Sequence, residues 1–164
     1  MIVNVIGLGA TAKGFDGFGH MTIGVNDVQV CDYKVCVDRI SAFTHSRFLN
    51  VKKCKEGFFT QLVEWECVMP VNLIQLKAVH AHNNRWNEFI PSSNNSPFVA
   101  CGVAYKFFGA TEIRLWGVDF LDHPHLNGAM REQSVKDFQL LQKILNEKGC
   151  RIIPHEKSYL FGKI

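Results

Sequence analysis

Ile2-Val-Asn-Val-Ile6 runs directly into Gly7-Leu-Gly-Ala-Thr-Ala-Lys-Gly-Phe-Asp-Gly-Phe-Gly19, a β-branched run followed by five glycines in thirteen residues. A short run of this composition, stopped by glycine, predicts a buried strand. Glycines placed immediately after a strand let the backbone turn tightly and bring its N–H groups toward an anionic ligand. Two similar runs follow: Met21-Thr-Ile-Gly-Val25, closed by Asn26-Asp27, and Tyr33-Lys-Val-Cys-Val37, closed by Asp38. Three short apolar strands, each ending in a polar or glycine turn, predict a parallel sheet buried on both faces.

Further along the chain, part of 41–49 is expected to be helical. Leu62 to Val68 and Leu73 to Val79 read as strands separated by Pro70, and Asn83 to Asn95 as a long polar loop of the kind that often carries function. Ser96-Pro97 supplies a cap residue and a proline for a helix reaching Phe108 and stopped by Gly109. Glu112 to Gly117 reads as a strand. Ser134 to Lys148 carries Val135, Phe138, Leu141, Ile144 and Leu145 at helical spacing, with Gly149 as its C-cap, and Arg151 to Ile153 is a last strand. Helix, strand, helix, strand in this order is a doubly wound pattern. With 164 residues, and about 150 per domain, one domain spanning 1–164 is expected.

Hydrophobic types make up 47% of the chain and charged types 20%, which excludes a disordered or low-complexity architecture. No apolar run approaches the roughly 20 residues of a membrane span, and the start lacks the basic and apolar regions of a secretory signal. A formal charge of +3 is too small and too dispersed for nucleic-acid binding, so Lys52-Lys53-Cys54-Lys55 reads as a solvated turn. None of the six cysteines forms a C-x-x-C pair and most lie in apolar surroundings, which argues for reduced core thiols and a cytoplasmic location. Signatures of serine hydrolases, P-loop enzymes and thiol oxidoreductases are absent.

Gly7 and Gly9 fall short of the dinucleotide fingerprint: position 12 is Ala12 in place of the third glycine, and the second strand ends at Asn26 after a loop too long for the usual βαβ unit, so NAD is not expected. Asn26, Asp27 and Asp38 fall at the carboxyl ends of predicted parallel strands, the edge along which open α/β sheets bind ligands. Asn26 offers donors and an acceptor to a base or ribose, and Asp38 suits a ribose hydroxyl or a metal-bound phosphate; each also serves as a turn cap. Ser96 heads a helix whose N-terminus is a natural phosphate seat, and a plain N-cap needs no ligand. The histidines pair as His80/His82 and His123/His125, the second pair close to Asp119 and Asp122. Their spacing is too unspecific to assign metal ligands. A general acid or base at His123 or His125 is the stronger reading, since a histidine titrates near working pH. Trp65 and Trp86 read as core, with a sugar or base pocket as the alternative; Phe107, Phe108 and Phe138 fall on helical core positions.

Three segments together resemble a known family: Val5 to Thr11; Thr22 to Asp27 with Asp32, Tyr33 and Asp38; and Ser96 through Gly109-Ala-Thr-Glu-Ile-Arg-Leu-Trp-Gly-Val-Asp-Phe120. The chain is similar to the Rossmann-like group uniting bacterial lipooligosaccharide sialyltransferases with the hydroxymethylpterin diphosphokinase-like proteins, a group with short stand-alone members in phage genomes. The resemblance implies a mostly parallel, Rossmann-like sheet flanked by helices that binds a nucleotide at its strand ends. It implies that Gly7 and Gly9 approach the phosphates, that Asn26 contacts the nucleotide, that Ser96 faces the phosphate or sugar, and that Asp119 closes the site. Where the family loop continues Gly-Pro-Ser, this chain has Gly9-Ala10-Thr11, so Thr11 keeps a hydroxyl and the rigid proline is missing. The expected function is a small nucleotide-binding transferase, glycosyltransferase-like, using a nucleotide-sugar donor, with a divalent metal as a further option. A non-enzymatic nucleotide-binding or assembly protein and an ATP-dependent diphosphokinase are the alternatives.

Overall fold

The computed structural model describes residues 1–17, 19–29, 31–69, 72–76, 78–80, 90–92, 95–121 and 127–164. Its centre is a parallel sheet built from β1 (Ile2–Ile6), β2 (Met21–Val25), β3 (Tyr33–Cys36), β4 (Gly57–Thr60), β5 (Leu73–Gln75), β8 (Glu112–Trp116) and β9 (Arg151–Pro154). These strands lie in the order β5-β4-β3-β2-β1-β8-β9, every neighbouring pair parallel. The chain steps outward from β1 to β5, then returns to place β8 on the other side of β1. The strand order therefore reverses between β1 and β8, the position at which doubly wound sheets open a crevice at their carboxyl ends. Two short strands, β6 (Ala78–His80) and β7 (Ile90–Ser92), pair separately. The fold is α/β and Rossmann-like, as expected.

Alternation along the strands divides the core between two faces. Val3, Val5, Ile23, Val25, Val35, Phe59, Ile113 and Leu115 share one face with α2 (Ser96–Phe108) and α3 (Gly128–Glu147), which contribute Phe98, Val99, Cys101, Val103, Phe138, Leu141 and Leu145. On the opposite face, Cys36 and Phe58 pack with Val51 of α1 (His45–Val51) and with Trp65. Trp65 is fully buried, which settles it as core, whereas Phe107 is 46% exposed and is a partial correction to its core assignment. No helix among the described residues is long and apolar enough to cross a membrane.

Several element boundaries depart from expectation for identifiable reasons. Val63–Cys67 is a 3-10 turn and not a strand. Its buried and half-buried residues Leu62, Trp65 and Val68 recur every third position, the period of that helix type. Gly57-Phe-Phe-Thr60, which carries no alternation because it is buried on both faces, is the strand next to β3. The expected strand from Leu73 to Val79 is two strands in different sheets, and β7 lies inside the expected loop, whose residues 83–89 fall outside the described residues. Helix α3 begins at Gly128 on an Asn127 cap, six residues before its apolar periodicity starts, because its first turns face solvent.

Candidate functional site at the carboxyl edge of the sheet

Two clusters stand side by side at the carboxyl ends of the parallel strands. The first joins the loop after β1 to the loop after β8. Gly7 N–H donates to the Trp116 carbonyl at 2.6 Å and Gly9 N–H to the Gly117 carbonyl at 2.7 Å. Thr11 then takes both oxygens of Asp119: its amide donates to Oδ2 at 2.9 Å, and its hydroxyl donates to Oδ1 while accepting the Gly117 N–H at 2.8 Å. Asp119 is buried. A Cβ on Gly9 would stand 2.7 Å from the Asp119 carboxyl carbon and 2.8 Å from the Gly117 oxygen, and one on Gly117, whose φ is +64°, would stand 2.8 Å from the Ala12 Cβ. Close backbone packing between two loops thus requires these glycines. Among this loop's amides, those of Leu8 and Ala10 bond no described residue.

The second cluster joins β2, β3 and α2. Asn26 follows β2 in the left-handed region, φ +50°, inside a turn closed by Val28 N–H on the Val25 carbonyl at 3.2 Å. Its backbone N–H bonds the Val35 carbonyl at 3.1 Å. Its side-chain amide lies in a chain of three groups: Ser96 Oγ donates to Asn26 Oδ1 at 3.1 Å, and Asn26 Nδ2 donates to Asp38 Oδ2 at 3.0 Å. Ser96 is buried. It is the first residue of α2 and not its cap; the Asn95 side chain caps the helix by accepting the Phe98 N–H. With the cap supplied by its neighbour, the Ser96 hydroxyl is committed to Asn26, 70 positions away. The Asp38 carbonyl receives the Trp65 indole N–H at 3.0 Å, which anchors the end of β3 to the core.

Asp27, beside Asn26, is gripped by Arg47 of α1, whose Nε and terminal nitrogen donate to the two carboxylate oxygens at 3.1 and 2.7 Å. Arg47 also lies over the Phe43 ring. Neither Arg47 nor Lys34, which supports this turn from below, was singled out from sequence. For Lys34 a signal was present: a lone charge in the middle of Tyr33-Lys-Val-Cys, a strand read as buried on both faces.

Gly7, Gly9, Thr11, Asn26, Asp38, Ser96 and Asp119 therefore all lie along one edge. Thr11 and Asp119 are in mutual contact, as are Asn26, Asp38 and Ser96; β1 and β2 are adjacent strands, so the two clusters are neighbours. His123 and His125 lie outside the described residues, as do His82, Trp86 and Asp122. Among the described residues no group of three or more His, Cys, Asp or Glu side chains is placed to hold a metal ion.

No protein-family model matches the chain and no curated protein matches it by sequence. Solved structures do match in shape. A mutant of the alpha-2,3/8-sialyltransferase CstII superposes with a TM-score of 0.60 at 13% identity, over 100% of this chain and 85% of that one. The sialyltransferase CstII from Campylobacter jejuni, in complex with the substrate analogue CMP-3FNeuAc, superposes with a TM-score of 0.52 at 13% identity, over 96% of this chain and 87% of that one. At this identity the likeness is one of fold: the chain has a sialyltransferase-like fold.

Proposed function

We propose that the protein is a nucleotide-binding transferase of glycosyltransferase type, taking a nucleotide-activated sugar as donor. The observation that carries this reading is the Ser96–Asn26–Asp38 chain at the carboxyl edge, next to the switch point between β1 and β8. Hydrogen bonds on both sides fix the orientation of the Asn26 amide. Among the described residues, no other group takes the remaining N–H and lone pair of this amide, the complement of a base edge or a ribose hydroxyl. The second oxygen of Asp38, which bonds no described residue, would take a hydroxyl. The amides of Leu8 and Ala10 are the donors the first loop holds out to a phosphate. Asp119 shapes that loop through Thr11.

In the transfer step, His123 or His125 takes the proton of the acceptor hydroxyl as its oxygen bonds to the sugar carbon. The bond from that carbon to the phosphate oxygen breaks, and the nucleotide departs with the electron pair, stabilised by backbone N–H groups. The sialyltransferase-like fold supports this class of reaction, and the nucleotide-sugar analogue in the Campylobacter jejuni enzyme makes CMP the first probe.

Calorimetric titration with CMP, UDP, GDP and ADP tests the reading. At least one is expected to bind; Asn26→Ala is expected to weaken that binding by about tenfold, the worth of one hydrogen bond to a ligand, and Ser96→Ala to weaken it by freeing the Asn26 amide to turn. Failure of all four at millimolar concentration overturns the reading. Binding with no transfer to any acceptor, unaffected by His123→Ala and His125→Ala, would leave a nucleotide-binding module in place of an enzyme.

A further inference from the structure

Lys34 stands in the middle of β3 with none of its surface exposed. Its ammonium donates to the Val28 carbonyl and, at 3.0 Å, to the Asn50 carbonyl. Among the described residues no carboxylate forms an ion pair with it. The titratable groups around it are the thiols of Cys31, Cys54 and Cys36 and the carboxylate of Asp27, and burial holds its pKa below the usual lysine range.

A buried ammonium with no carboxylate in contact is expensive, and an apolar side chain of the same length would be cheaper for stability. What this lysine supplies is geometry. Val28 closes the turn that holds Asn26 and Asp27. Asn50 lies near the end of α1, the same helix whose Arg47 grips Asp27. The Asn26 turn is thus fastened to α1 twice, by a half-exposed guanidinium–carboxylate pair on the outside and by an ammonium between two carbonyls beneath.

We propose that Lys34 is a positioning residue: its buried ammonium joins the Asn26 turn to α1 and so sets where the Asn26 amide meets a nucleotide. This rests on the nucleotide-binding reading of the edge. Lys34 itself touches no ligand.

The test is Lys34→Met in the full chain, with three readouts: thermal stability, amide hydrogen exchange, and CMP affinity. The variant is expected to melt within a few degrees of the parent. Exchange at the Asn26 and Val28 amides is expected to quicken at least tenfold, with β1 and β8 unchanged, and CMP binding to weaken at least tenfold. A residue that merely stabilised the fold would lower the melting temperature and leave the affinity of the folded protein intact, and that result overturns the proposal. So does unchanged exchange at Asn26 and Val28, or faster exchange with unchanged affinity.

If the parent protein binds no nucleotide, the functional reading has failed, and the exchange arm still decides whether Lys34 fastens the turn. If Lys34→Met does not fold, Arg47→Gln removes the outer fastening instead. Protection at Val28 that persists in that variant supports Lys34 as the inner one, and protection that vanishes overturns it.

Discussion

Gly9 has no room for a side chain, because the Asp119 carboxyl carbon lies 2.7 Å from where its Cβ would stand and Asp119 is itself held by Thr11. Neither the backbone of Gly117 nor a carboxylate with both oxygens bonded can retreat cheaply. Gly9→Ala is therefore expected to destabilise the fold by about 1–3 kcal/mol, the usual cost of overpacking, measured by urea denaturation. Gly14→Ala, where a Cβ would meet nothing within 4 Å, is the control and should leave the midpoint nearly unchanged. The glycine run was legible in the sequence as a tight turn after a strand. Which atoms occupy the space beside it was not, because Thr11 meets Asp119 across 108 positions and no local pattern encodes that meeting. Asn26 shows the same division: its place at a strand end is readable from Thr-Ile-Gly-Val-Asn, whereas its partners Ser96 and Asp38 come from two other elements.

Helix α2 shows how one position can shift the meaning of a motif. Ser96-Pro97 announces a helix start correctly, but the cap is Asn95, and the serine is thereby released to reach Asn26. The two residues should separate experimentally. Asn95→Ala is expected to cost about 1 kcal/mol of stability, as loss of an N-cap does. Ser96→Ala is expected to spare the cap and act on nucleotide affinity instead. Paired denaturation and calorimetric curves check this, and a larger stability loss at Ser96 than at Asn95 would contradict the assignment. The helices and the first three strands were readable because their apolar residues repeat at 3.6 or end in glycine and polar turns. The middle of the chain was not. Val63, Trp65 and Cys67 alternate with Glu64 and Glu66 and mimic a strand in a short window, although the buried and half-buried residues, Leu62, Trp65 and Val68, recur every third position; fully buried β4 shows no alternation at all.

Across the sheet, the two ends carry different chemistry, and burial is uneven. Strand β9 at the edge alternates exposed and buried residues, unlike the interior strands. At the amino end of its outer face, Arg151 and Arg114 both bond Glu112. Arg151 first and Arg114 second hold the Glu112 carboxyl below the usual glutamate range. A carboxyl whose folded pKa is depressed adds stability that is fully present above its unfolded pKa and is lost as pH falls through the folded one. The stability gap between the parent and Glu112→Gln should therefore be open at neutral pH and close in acid, below the ordinary glutamate range. Because the Arg114 and Arg151 side chains are 40% and 66% exposed, the gap should be small and shrink in salt. Denaturation curves across the acid range measure it, and a gap that widens on acidification would reverse the sign.

The thiols test the burial pattern of the whole molecule at once. The strand order, which decides what lies in the interior, comes from pairings such as β1 with β8 that span most of the chain, so it could not be read from local periodicity. Four cysteines are buried by that arrangement, Cys54 is half-buried, and Cys67 on the 3-10 turn is exposed. Burial raises the Cys31 and Cys101 thiols, and pushes Cys36 up to about 12 and Cys54 and Cys150 up to about 11. Alkylation requires the thiolate and access to it, and these five lack one or both near neutral pH. Iodoacetamide on the folded protein is therefore expected to modify Cys67 first, with all six cysteines reacting only after denaturation. Peptide mass mapping over time reads the order. Rapid labelling of Cys36 or Cys101 in protein that still melts cooperatively would mean that β3 or α2 does not pack as described, and the carboxyl-edge site built on those two elements would lose its support.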